Sequence, residues 1–208
     1  MKKIILSALL VLAFGFTYAQ QAKFGIKGGL NSSDFSGDTD GMNFKPRIGF
    51  NVGAFAAIKL SEKITLQPEI LYSTQGAKAE NVTADVNGVN YTADIDFNLA
   101  YINVPVMFKY YVAEKFNLEA GPQIGFLTSA ETSTKLDGFD QTVDQDAKDY
   151  FESVDFGFNF GAGYDFTDKI FAGIRYNIGL SNVLKNQPGD NSESQNTVLS
   201  LSVGYKFN

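Results

Sequence analysis

Apolar and polar residues alternate one by one along most of the chain after residue 20. Between Val154 and Phe166 every second residue is Val, Phe, Ala or Tyr, and the residues between them are Asp, Gly or Asn. The same alternation occurs in residues 170–180 and 47–59. A period of two is typical of a β-strand with one apolar face, whereas no window has the period of an amphipathic helix. The pattern therefore predicts an all-β chain.

A short motif repeats three times and marks tight turns between long strands. Each copy contains a small or polar residue, an acid, a Lys and then an apolar residue, and the copies are 52 and 54 residues apart. Three such hairpins give six strands. Residues 23–30 and 197–207 add one strand at each end. Eight antiparallel strands can close into a barrel because the first and last can pair. The three copies are Ser61-Glu62-Lys63-Ile64, Ala113-Glu114-Lys115-Phe116 and Thr167-Asp168-Lys169-Ile170.

The connections between successive hairpins are long and polar. They cover residues 31–45, 80–96, 131–152 and 185–196, and Asn87-Gly88 predicts a hairpin tip within the second. Together they contain 16 acidic residues and 4 Lys. Short turns therefore alternate with long acidic loops, an arrangement typical of bacterial outer-membrane barrels.

Charged and amide residues recur on the second face of the strands. A soluble barrel would have to bury these groups in a dry core, where each unpaired ion costs several kcal/mol. A transmembrane barrel turns its apolar face to lipid and can hold polar groups in its lumen. We therefore predict an eight-stranded antiparallel transmembrane β-barrel, with a soluble sandwich as the alternative. The inward set is Lys27, Arg47, Lys59, Gln67, Glu69, Asn103, Lys109, Glu119, Gln123, Asp155, Arg175 and Lys206.

Four charged members of this set predict an internal ion-pair network. Lys109 and Glu119 are equally distant from the turn centred on Glu114, so they should face each other across a hairpin. Glu69 and Arg175 lie at comparable distances from their own turns. We expect these four side chains to fill the lumen. Paired-carboxylate catalysis by Glu69 and Glu119 is the alternative interpretation.

The composition contains 19 Phe and 10 Tyr but no Trp. Outer-membrane barrels flank their apolar band with aromatic girdles, and here Phe and Tyr would have to form both. Six aromatic residues lie next to the short turns or the C-terminus and predict one girdle: Tyr110, Phe116, Tyr164, Phe166, Tyr205 and Phe207.

The N-terminus predicts export. Lys2 and Lys3 precede an apolar run over residues 4–16, and Thr17-Tyr18-Ala19 provides small residues before a cleavage site. We predict a cleaved signal peptide over residues 1–19 and one barrel domain over residues 20–208. Without the two signal-peptide lysines the net charge becomes −8, which disfavours nucleic acid. We expect an outer-membrane location, with the long acidic loops extracellular and the short turns and both termini periplasmic.

The chain contains no His and no Cys. This excludes Ser-His-Asp and Cys-His nucleophiles, zinc fingers and disulfides. The acidic stretches Asp38-Thr39-Asp40-Gly41 and Asp144-Gln145-Asp146 do not complete a calcium loop. We therefore predict a protein that is not an enzyme and has no cofactor and no metal site.

Eight short motifs occur in order along the chain, at residues 24–31, 66–73, 75–78, 102–106, 109–111, 119–123, 175–182 and 204–207. They resemble the PorT-like outer-membrane β-barrel family of Bacteroidota, whose members are often named porin family proteins. This resemblance implies an outer-membrane barrel with a structural or surface-interaction role. A narrow channel for ions or small solutes, and an accessory component of a secretion or gliding machinery, are alternatives. The partners expected are outer-membrane lipids, lipopolysaccharide and, during biogenesis, the barrel-assembly machinery, with the barrel a monomer.

Overall fold

The computed structural model describes residues 22–38, 44–86, 89–137, 142–185 and 193–207. The predicted signal peptide and the predicted tip at Asn87-Gly88 lie outside these residues. Within them, regular structure consists of nine strands and a 3-10 turn at Lys148–Tyr150. The strands are β1 (Ala22–Asp38), β2 (Phe44–Lys59), β3 (Ile64–Val86), β4 (Val89–Tyr111), β5 (Phe116–Leu136), β6 (Thr142–Asp146), β7 (Val154–Asp165), β8 (Ile170–Gly179) and β9 (Glu193–Lys206).

Eight of these strands form a closed antiparallel ring. In order around the ring they are β1, β2, β3, β4, β5, β7, β8 and β9. The ring closes between β1 and β9, from Gly25 opposite Lys206 to Asp38 opposite Glu193. The predicted eight-stranded antiparallel barrel is confirmed. The ninth strand, β6, pairs with the end of β5, from Glu131 opposite Asp146 to Lys135 opposite Thr142.

The prediction of long loops is wrong for much of the chain that it covered. Strand β1 continues to Asp38, and β3 and β4 pair up to Val86 opposite Val89. Residues 131–136 belong to β5, and β6 lies within the third connection. Antiparallel pairing satisfies backbone groups whatever the side chains are. Polar sequences can therefore extend the strands into water, where no apolar outer face is needed.

The repeated motif forms the three short turns, and in the two copies that begin with Ser or Thr the first residue has a structural role. The Ser61 hydroxyl accepts hydrogen bonds from the backbone N–H groups of Lys63 and Ile64. Thr167 does the same for Lys169 and Ile170. This local bonding is typical of Ser and Thr in turns. The Lys carbonyl of each copy then accepts a hydrogen bond from the end of a neighbouring strand, at Tyr111, Asp165 and Lys206.

The outer face of the ring is apolar and exposed, and the inner face is largely polar and buried. Leu30 and Ile48 point outward with 63% and 67% of their surface exposed. Asn31, next to Leu30 in sequence, and Ser33, opposite Arg47 across the β1–β2 pair, are buried inside. This is the reverse of a soluble barrel and the expected arrangement for one surrounded by lipid. No helix in the described segments is long and apolar enough to cross a membrane.

Candidate functional site: the barrel lumen

Five buried charged side chains meet in the middle of the lumen. They come from five different strands: Lys27 on β1, Glu69 on β3, Lys109 on β4, Glu119 on β5 and Arg175 on β8. The alternation of each strand turns these positions inward. We call this set the charged layer.

Arg175 lies at the centre of the charged layer and binds both carboxylates. Its Nη1 and Nη2 donate to Glu69 Oε2 and Oε1 at 3.0 and 2.9 Å, which is the bidentate geometry that a planar guanidinium favours. Its Nε donates to Glu119 Oε1 at 2.9 Å. One side chain therefore links β8 to two strands on other parts of the ring.

Each carboxylate also has a lysine partner. Lys109 Nζ is 3.3 Å from Glu119 Oε2, and these residues face each other in the β4–β5 register. Lys27 Nζ is 3.3 Å from Glu69 Oε2. Gln67 Nε2 donates to Glu69 Oε1 at 2.8 Å. The structure thus brings the four predicted network residues together and adds Lys27 as a fifth member.

The short-turn side of the charged layer contains two inward aromatic rings. Phe55 and Phe171 pack edge to face with ring centroids 5.4 Å apart. The ammonium groups of Lys109 and Lys206 lie 5.0 and 5.4 Å from the Phe171 centroid, within the range of cation–π attraction. Lys206 also binds Asp165 at 2.9 Å. Beyond these residues the lumen widens into a vestibule of about 810 Å³ at the short-turn end.

The opposite side of the charged layer contains a hydrogen-bonded set of amides and hydroxyls. Asn31 Nδ2 donates to Ser73 Oγ at 2.9 Å, and Asn51 Nδ2 donates to Asn31 Oδ1 at 2.7 Å. Asn177 Nδ2 donates to Asn159 Oδ1 at 3.2 Å across the β7–β8 pair. Buried polar groups are stable where they are bonded in this way.

An apolar cluster closes the lumen at the end opposite the short turns, which we call the long-loop end, and we call this cluster the aromatic cap. The rings of Phe35, Phe44, Phe97 and Phe151 pack with centroids 5.4–6.4 Å apart. Their mostly edge-on or tilted contacts are the arrangements that aromatic pairs favour. The buried members of the cap also include Ala77, Leu99, Tyr101, Leu127, Ala130, Ala147 and Val183.

The structure places the six predicted girdle residues on the outer face. All are exposed. Tyr164 packs against Phe166 at 5.2 Å, and Tyr205 packs against Phe207 at 6.0 Å. Phe116 faces Tyr164 across the β5–β7 pair. These aromatic residues therefore lie beside the short turns, at one end of the outer apolar surface.

A family model described as an outer membrane protein β-barrel domain matches residues 18–185. The chain belongs to this outer-membrane β-barrel family. Membership locates the protein in the outer membrane. A comparison with curated proteins finds no match.

Solved structures agree with this outer-membrane barrel fold. The crystal structure of Ail, the attachment invasion locus protein of Yersinia pestis, matches with a TM-score of 0.53 and 14% identity, covering 90% of this chain and 99% of Ail. Neisserial surface protein A matches with a TM-score of 0.50 and 17% identity, covering 89% of this chain and 99% of that protein. At these identities the similarity shows the fold.

The sequence interpretation missed the aromatic cap of this family member, although a signal for it exists. In the part of β1 nearer the short turns, the outward residues are apolar, as at Ile26 and Leu30. Further along the strand the outward residues are Ser32, Asp34 and Ser36, and the inward residue is Phe35. The alternation keeps its period of two, but the apolar residues now face inward and the polar residues face outward. Such an exchange marks the point where a strand leaves lipid and begins to enclose an apolar interior in water.

Proposed function

We propose that this protein is a closed, non-enzymatic outer-membrane barrel with a structural or surface-interaction role. The observation that carries the proposal is the blocked lumen. The charged layer fills its middle, and the aromatic cap fills its long-loop end. Eight-stranded barrels have interiors that side chains can just fill.

The size of the internal cavities supports this closure. Between the charged layer and the cap there is a cavity of about 30 Å³, and another of about 10 Å³ lies beside Lys109 and Phe171. A single water molecule needs about 10–15 Å³. These cavities hold isolated small species rather than a continuous column of water. The large vestibule lies at the short-turn end, and the inner aromatic pair and the charged layer lie behind it.

The strand extensions at the long-loop end form the face available for surface interactions. Outward residues there are polar or charged, as at Asp34, Lys78 and Asp96, so these segments lie beyond the lipid. We propose that this face is extracellular and that the short turns and both termini are periplasmic, as is usual for bacterial barrels.

The charge of this face favours a particular class of surface partner. Ail has been crystallised with the heparin analogue sucrose octasulfate, a polyanion. In this chain the predicted loop regions carry 16 acids and 4 Lys, which repel polyanions and attract cationic groups. We therefore expect cationic surface partners.

The apolar outer face suits outer-membrane lipids and lipopolysaccharide, and insertion would require the barrel-assembly machinery. The motifs favour a PorT-like branch of the family. The closed ring leaves no barrel edge for pairing with another copy, which supports a monomer.

Planar-bilayer recording tests the closed lumen. The purified barrel should give no steady channels, because the charged layer and the cap both block the path. Steady, reproducible channels would instead support the narrow-channel alternative. A secretion defect on deletion, together with co-purifying secretion components, would support the accessory role in a secretion machinery.

Single-cysteine labelling tests the orientation, and the absence of native Cys makes it clean. Asp144→Cys lies on β6 at the long-loop end, and Glu114→Cys is the matched position in a short turn. A membrane-impermeant maleimide added to intact cells should label only Asp144→Cys. Labelling of Glu114→Cys alone would reverse the proposed orientation.

A further inference from the structure

The charged layer does not balance its own charge. Lys27, Lys109 and Arg175 supply three positive charges, and Glu69 and Glu119 supply two negative ones. None of the five is more than 7% exposed. A buried charge without a counter-charge is strongly destabilising, so the excess of one positive charge calls for compensation.

Two further carboxylates that face the lumen, Asp165 and Asp155, have partners outside the charged layer. Asp165 binds Lys206 at the vestibule. Asp155 accepts a hydrogen bond from Ser181 at 2.8 Å. Asp155 lies six residues along β7 from Gly161, which faces Glu119, and is therefore about 20 Å from the charged layer along the strand. Gly125 separates Asp155 from Asn103 across the β4–β5 and β5–β7 pairs.

The cavity of about 30 Å³ lies directly against this excess charge. Lys27 and Arg175 line it together with Asn103, other amides and hydroxyls, and Leu71 and Val198. The Lys27 ammonium has three donors, and its hydrogen bond within the described residues, to Glu69, uses one. The Asn103 side chain is 5% exposed and makes no hydrogen bond in the described part of the chain. The cavity is therefore lined by a lysine with unused donors and by an amide that makes no hydrogen bond in the described residues.

We propose that this cavity binds one small monovalent anion, with chloride as the physiological species. The anion supplies the missing negative charge and accepts hydrogen bonds from Lys27 and the Asn103 amide. The volume admits a monatomic ion and excludes sulfate or phosphate with a hydration shell. Bound chloride makes the charged layer neutral and so stabilises the closed barrel.

Thermal unfolding of the full-length mature barrel in detergent tests the site. Folded and unfolded forms separate on a gel, and their midpoint temperature is measured in sodium chloride, bromide and gluconate at one ionic strength, which keeps screening constant. Because a ligand of the folded state stabilises it, the midpoint should rise in a saturable way with chloride, by about 2–4 °C or more. Bromide should act similarly and gluconate should not. Equilibrium dialysis with labelled chloride should give one ion per barrel.

Two variants remove the excess positive charge that the anion would neutralise. Lys27→Met makes the layer neutral, and Asn103→Asp places a fixed carboxylate at the cavity. Both should lose the chloride response, whereas Lys59→Met, an exposed lysine at the short-turn end, should keep it. If Lys27→Met does not fold, Asn103→Asp decides alone.

Equal midpoints in chloride and gluconate for the native sequence would overturn the proposal. So would an undiminished chloride response in Asn103→Asp. A midpoint that rises from pH 7 to pH 9 without any effect of chloride would also overturn it, because Lys27 would then remove the excess charge by losing its proton.

Discussion

The charged layer and the aromatic cap close the same lumen with opposite chemistry. The layer lies where the outer face is apolar, and most of its ion pairs join strands through side chains far apart in sequence. The cap lies where the outer face is polar, and it joins strands by packed rings. One barrel is thus a membrane barrel along part of its length and resembles a soluble barrel along the rest.

The two regions should respond differently to the loss of one side chain. Ion pairs are specific, and a missing partner leaves a buried charge that no neighbour replaces. Packed rings are less directional, and a missing ring leaves a cavity whose effect depends on how far its neighbours collapse. In the layer the sign of the removed charge therefore matters, whereas in the cap only volume matters.

The largest effect is expected for Glu69→Gln in the charged layer. This change leaves three buried cations with Glu119 as their only carboxylate within the layer. We expect the free energy of unfolding to fall by about 3–5 kcal/mol, the usual result of leaving buried charge uncompensated. Urea unfolding in lipid vesicles, followed by tyrosine fluorescence, measures it.

Arg175→Met is the matched control for that prediction. It removes more hydrogen bonds than Glu69→Gln, but it leaves two lysine–carboxylate pairs, each with N–O distances of 3.3 Å, and a neutral layer. Its loss of stability should therefore be smaller. A larger loss in Arg175→Met would show that hydrogen-bond number, and not charge balance, governs the layer.

In the cap, Phe151→Ala should lower the free energy of unfolding by about 3 kcal/mol, the lower end for a buried Phe. Phe151 is buried and contacts Phe35 and Phe97. The variant should remain non-conducting in planar bilayers because the charged layer is intact. Phe151→Leu keeps more of the volume and should restore much of the loss. Channels in Phe151→Ala would show that the cap alone seals the lumen.

The contrast between these regions also explains what could be predicted from the sequence. Lipid demands an apolar outer face, so the alternation at residues such as Ile174 and Arg175 indicated both strand and orientation. In the strand extensions beyond the lipid, an apolar outer face is no longer required. Tertiary pairing determines the strand extensions, such as residues 80–86, the short β6 and the inward position of Phe35. The only local signal for them is that apolar residues now face inward and polar residues outward. The excess charge needed Lys27 to be placed beside Glu69, which strand alternation alone does not do.

Gly76→Ala should have an intermediate effect on the cap. Gly76 has φ of +131°, a conformation that disfavours a side chain, and a Cβ there would collide with the backbone carbonyl oxygen of Phe97. Backbone strain of this kind costs about 1–3 kcal/mol. The measurement is again unfolding in vesicles, with Gly28→Ala as control, since Gly28 has space for a methyl group on the outer face. Equal losses of unfolding free energy in both variants would show that the backbone conformation at Gly76 adds nothing to the cost of the methyl group.

The smallest effect is expected for Asp96→Asn in a strand extension. Lys78 and Asp96 face each other across β3 and β4 at 3.3 Å, the same distance as Lys109 and Glu119 across β4 and β5. The extension pair has side chains 41% and 38% exposed, compared with 6% and 5% for the pair in the layer. Water and salt screen the exposed pair, so its loss should cost about 0.2–1 kcal/mol and vanish at high salt. Double-mutant cycles on both pairs measure the difference directly, and similar coupling energies would mean that the lumen does not exclude water at the charged layer.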